Sequence, residues 1–67
     1  MKLKVDQKAD ALYLSLSEDL ATRSEEVSPG VLVDYDAQDH IVGVELLSLS
    51  KRAPDTDINR LLFEFIP

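Results

Sequence analysis

The chain has 67 residues, no cysteine, one histidine and a formal net charge of −6, from thirteen Asp and Glu against seven Lys and Arg. A single domain of that length, residues 1–67, buries only about 60% of the surface of its extended chain, and without cysteine neither disulfides nor thiolate zinc sites can supplement so small a core. The negative charge opposes nonspecific attraction to nucleic acid and to anionic lipid, and no apolar run reaches the roughly 18 residues of a membrane span.

Lys2-Leu3-Lys4-Val5-Asp6 alternates polar and apolar residues as a half-buried strand does. A signal peptide would need a continuous apolar stretch there, so a cytoplasmic protein is expected. Asp6 to Asp10 is polar and turn-compatible. From Ala11 the alternation resumes, with Leu12, Leu14 and Leu16 on one face and Ala11, Tyr13 and Ser15 on the other. These two stretches read as a hairpin whose connection lacks glycine. Leu20 to Val27 is polar, and charged Arg23, Glu25 and Glu26 suit an edge strand because they discourage pairing with another edge. Ser28-Pro29-Gly30 is the clearest turn: proline presets φ at the second position and glycine accepts positive φ at the third.

Residues 31–35 and 41–47 are rich in β-branched side chains and apolar in places on both faces, as central strands are. The short connector Asp36 to His40 makes them an antiparallel hairpin. Gly43, inside the second strand, points to a bulge or to close approach by another element, for which a terminal helix is one candidate. Ser48 to Ala53 reads as a linker. Pro54 then breaks the chain, and Asp55-Thr56-Asp57 offers capping side chains. Beyond them Ile58, Leu61, Leu62 and Phe65 recur at i, i+3, i+4 and i+7, the stripe of a helix of about three turns, although residues 61–66 also alternate as a strand would. The expected fold is α+β: an antiparallel meander of about five short strands, near 2–6, 11–16, 21–27, 31–35 and 40–47, followed by one C-terminal helix.

No catalytic, cofactor or metal site is expected. None of the serines sits in a G-x-S-x-G elbow, and Ser48 and Ser50 follow a strand where hydroxyls bond locally to backbone. His40 falls in a hairpin connection, and the two glycines, Gly30 and Gly43, are too far apart for a phosphate loop. Asp34 to Asp39 with Glu45 mimics the spacing of a calcium loop, but Gln38 stands where Asp or Asn is usual, Asp39 replaces the turn glycine and the flanks read as strands. Asp34 and Glu45 could approach one another across the hairpin, an unfavourable pair of like charges. A chain this small does not enclose a ligand pocket of about 300 Å³ without a partner, so no enzyme is expected.

Asp6-Gln7-Lys8-Ala9-Asp10-Ala11-Leu12-Tyr13-Leu14-Ser15-Leu16 resembles the D-x-x-A-D-A-L-Y-I-x-L opening of a family of small bacterial and archaeal proteins, domain of unknown function 2283 (DUF2283). Glu26-Val27-Ser28-Pro29-Gly30-Val31 and Ile41-Val42-Gly43-Val44-Glu45-Leu46-Leu47 with Ser50 are similar to its E-x-x-P-G-V and L-V-G-I-E-I-L-x-A-S patterns, with Leu49 where the family more often carries alanine. The blocks occur in order and span about residues 2–52. The resemblance implies no established activity. It implies membership of two-gene modules beside a small domain of the RNA-cleaving toxin type, and hence an antitoxin-like role with a small basic protein as partner.

A core this small leaves association as the remaining route to stability. A homo-oligomer or a complex with a basic partner is therefore expected, with Ile58, Leu61, Leu62 and Phe65 contributing to core or interface. The function expected first is a non-enzymatic protein-binding module, and the alternative is a homo-oligomeric protein that binds a small ligand.

Overall fold

A computed structural model describes every residue from Met1 to Pro67. Five strands form one antiparallel sheet: β1 (Lys2–Asp6), β2 (Ala11–Ser15), β3 (Arg23–Ser28), β4 (Val31–Tyr35) and β5 (Ile41–Leu46). One short helix, α1 (Leu49–Arg52), follows them, so the fold is the α+β arrangement expected. Their order across the sheet is β1-β2-β5-β4-β3. The hairpin β1-β2 and the three-stranded unit β3-β4-β5 are each built from neighbours in sequence, and β2 joins them by pairing with β5. This places β5 at the centre and β3 at an edge, where its charged residues are exposed.

Three tight turns explain why the strands end where they do. Asp10 takes the left-handed conformation (φ 55°) that the β1-β2 turn requires in place of glycine, while Asp6 Oδ1 accepts the Ala9 N–H at 2.9 Å. Gly30 (φ 72°) closes the β3-β4 turn after Pro29, as the sequence predicts. At the β4-β5 turn Asp36 is buried, and its Oδ1 accepts the N–H groups of Gln38 and His40, each at 2.9 Å, with Asp39 (φ 63°) in the left-handed position. A register shift opposite Asp34 and Tyr35 leaves Val42 as an extra residue on β5, beside Gly43.

The helix lies elsewhere than its predicted place. Residues 49–52, read as a linker, form α1, whereas Ile58, Leu61, Leu62 and Phe65 belong to no helix or strand. Arg60 N–H reaches Asp57 C=O at 3.2 Å, one turn that does not propagate. Helix nucleation is costly and a short stripe repays it only by packing on a surface; here Leu61, Leu62 and Phe65 remain 69–79% exposed. By contrast α1 is held from outside. Asp10 C=O accepts Leu49 N–H at 2.9 Å, Asp10 Oδ1 and Oδ2 accept the Ser50 N–H and hydroxyl at 2.9 and 2.7 Å, and Arg52 donates to Leu47 C=O and to Pro29 C=O. Four residues thus tie the β1-β2 turn to the β3-β4 turn. Ser50 bonds a side chain forty positions away, which corrects the expectation of local backbone bonding for that hydroxyl.

Only Val33, Val42 and Leu49 form a buried apolar core. The protein is one sheet thick, with extents of 37 × 33 × 19 Å. Its radius of gyration is 13.0 Å, against about 11 Å for a compact chain of this length. No helix is long and apolar enough to cross a membrane.

Candidate functional site

Strand register sorts the side chains into rows that cross the sheet. On one face Leu3, Leu14, Val44 and Val33 lie side by side, and next to them Val5, Leu12, Leu46 and Val31 form a second apolar row. On the other face Lys4, Tyr13, Glu45, Leu32 and Glu26 form one row, and Lys2, Ser15, Gly43, Asp34 and Ser24 form the next. The period-2 alternation of β1 and β2, legible in the sequence, therefore continues across β5 and β4 as one apolar and one mainly polar face, while β3 sets Glu25 beside Val33 on the apolar side.

Tyr13 organises the polar face. Its ring crosses Gly43, and a Cβ on that glycine would lie 2.6 Å from Tyr13 Cζ, so the close approach expected at Gly43 comes from this tyrosine and not from a helix. The Tyr13 hydroxyl donates to Asp34 Oδ2 at 2.8 Å, and the Ser24 hydroxyl donates to Asp34 Oδ1. The hydrogen bond to Asp34 raises the Tyr13 pKa above 10.0, with smaller contributions from desolvation and from the charges of Asp34 and Glu45. The protonated phenol acts as a donor that fixes β2 to β4 across β5, and with Ser24 it holds the Asp34 carboxylate in place on the polar face.

The aspartates that imitate a calcium loop are already engaged. Asp34 accepts Tyr13 and Ser24, Asp36 accepts two backbone N–H groups and faces His40 Nδ1 at 3.4 Å, and Asp39 pairs with Arg23 at 3.1 Å. The strands on either side hold these side chains apart from any common centre. A hollow of about 810 Å³ beside the polar face is lined by Lys2, Lys4, Glu18 and Asp19 with Tyr13 and Ser15, carrying both signs of charge.

The apolar face is different. No second sheet lies across it, and the one helix of the fold, α1, is four residues long. The segment after Arg60 runs beside β1 and β2, where Leu61 and Phe63 share an apolar hollow of about 600 Å³ with Met1, Leu3 and Leu14. Residues 61–67 make no hydrogen bond, and Leu61, Leu62, Phe63, Phe65 and Ile66 are 69–83% exposed. Of the four residues predicted to contribute to core or interface, Ile58 is half-buried near Asp10 and Ser50 while Leu61, Leu62 and Phe65 stand in this exposed segment. Reading the stripe as a helix hid Ile66 and also Phe63, which the alternation of Leu61, Phe63 and Phe65 would have included. Arg23 closes the far rim: it stacks over the Tyr35 ring at 4.0 Å and pairs with Glu25 and Asp39.

No curated protein and no solved structure matches the chain. The model of one family, described as a protein of unknown function (DUF2283), matches residues 2–50, a span that takes in the sheet, its three turns and the Asp10 to Ser50 tie. The chain belongs to the DUF2283 family.

Proposed function

We propose that this chain is a cytoplasmic, non-enzymatic protein-binding module whose apolar sheet face is its working surface. One observation carries the proposal. The chain exposes 5514 Å², where a compact monomer of 7.5 kDa exposes about 4,200 Å². The excess of about 1,300 Å² exceeds the roughly 800 Å² per partner that a stable interface buries. Domains are built from packed layers that enclose a core, and this sheet lacks its second layer. Another polypeptide can supply it.

The polar face supports the finer, antitoxin-like reading that the family resemblance implies. Glu26, Asp34 and Glu45 stand there on β3, β4 and β5, while Lys2 and Lys4 stand on β1 at the opposite edge, so carboxylates face out from the β5-β4-β3 half of the sheet toward a small basic partner.

Methyl-resolved NMR with a soluble paramagnetic chelate tests the proposal. In the associated protein the methyl groups of Leu14, Val33 and Val44 should be shielded while those of Ala11 and Leu32 remain open to the probe. A dilute monomer whose own C-terminal segment shields Leu14, Val33 and Val44 would show that the face needs no partner.

A further inference from the structure

We infer that the missing layer is a second copy of this chain, stacked face to face about a two-fold axis, with each copy's segment Leu61–Ile66 lying along the seam. The inference rests on the protein-binding reading above and names its partner.

Charge distribution permits the self-association. Despite the net charge of −6, the two central rows of the apolar face carry no charged side chain on β1, β2, β4 or β5. Its one charged rim, on β3, has Arg23 already paired with Glu25 and Asp39. Two copies can therefore meet without opposing carboxylates, whereas polar faces brought together would set Glu26, Asp34 and Glu45 against their own copies. A two-fold axis places the same patch on both sides, and an apolar patch is complementary to itself. Two such sheets would pack about 10 Å apart, the spacing of a β-sandwich core.

The C-terminal segment supplies the remaining apolar area. Its backbone belongs to no helix or strand and makes no hydrogen bond, and alternate residues Leu61 and Phe63 already border the groove beside Leu3 and Leu14. Phe65 and Ile66, 79% and 83% exposed, extend past that groove with nothing from their own chain to cover them. A facing sheet would cover them. The excess surface of about 1,300 Å² per copy is of the size that such an interface removes from water.

Light scattering on the full chain tests this, together with the chelate probe. The expected mass is twice 7.5 kDa at high concentration, with Leu14, Val33 and Val44 shielded. Phe63→Ser should raise the dimer Kd by about tenfold or more without altering the circular dichroism of the monomer. Because the chain has no cysteine, Val44→Cys gives a single reporter that should crosslink between copies, while Lys4→Cys on the polar face should not. A persistent monomer with an open apolar face would overturn the second copy and leave a different protein as the partner. A persistent monomer whose face is shielded by its own segment would overturn both the dimer and the protein-binding reading. A dimer with the apolar methyls still exposed would place the contact on a sheet edge and overturn the face-to-face arrangement.

Discussion

The two faces of this sheet are stabilised by different means. The polar face is held by specific bonds: Tyr13 and Ser24 on Asp34, and Tyr13 seated on Gly43. The apolar face has rows of Leu and Val, of which Val33 alone is buried. Directional bonds complete the first face within one chain, but burial of apolar area needs a second surface, and the chain has none to offer. A small protein can therefore leave no buried side-chain polar atom without a partner and still be incomplete in its hydrophobic packing.

The largest effect should come from breaking the apolar face at its one buried side chain. Val33→Asp places a second carboxylate beside Glu25 at the buried position next to Val44, and should cost about 3–5 kcal/mol, enough to abolish the cooperative unfolding transition in urea. The matching change on the other face, Glu45→Gln, should stay within about 0.5 kcal/mol of wild type.

Gly43→Val sharpens the comparison from the polar side. The added side chain meets the Tyr13 ring and displaces its hydroxyl from Asp34, for an expected loss of about 2–4 kcal/mol in the urea midpoint analysis. Tyr13→Phe alone removes the hydrogen bond and keeps the packing. It should cost about 1 kcal/mol in the same measurement.

Asp10 ties the two hairpins together through α1. Asp10→Ala removes both side-chain bonds to Ser50 and puts a Cβ-bearing residue without a polar side chain at φ 55°, and should lower the urea midpoint by less than Gly43→Val does. The Ser50 hydroxyl and N–H hold the Asp10 pKa below its ordinary 3.8, and the His40 and Gln38 N–H groups do the same for Asp36. Each carboxylate binds its proton more readily when unfolded. Their stabilisation is therefore complete above pH 3.8 and is lost as pH falls below it through the folded-state pKa values. Acid unfolding of Asp10→Asn should show a shallower decline over that range, the smallest of these effects.

Strands and turns were legible because their causes are local. Alternation marked β1 and β2, β-branched runs marked β4 and β5, and Pro29-Gly30 marked its turn. The pairing of β2 with β5 was not legible, since period-2 alternation defines a face but not a neighbour. Nor was α1, whose four residues owe their helix to Asp10 and Pro29, distant in sequence. The stripe Ile58, Leu61, Leu62 and Phe65 showed the reverse failure: a helical period existed without any surface for it to pack on. The candidate site was half legible, its apolar residues evident from alternation and its partial cover visible only in the structure, where residues 61–66 form no helix over the sheet.

The most direct test of the account is the thermal midpoint of the wild-type chain as a function of its own concentration. Association through the apolar face couples folding to mass action, so the midpoint should rise steadily with concentration, and Phe63→Ser should flatten that rise. A midpoint independent of concentration from micromolar to millimolar would contradict the claim that a second copy completes the sheet.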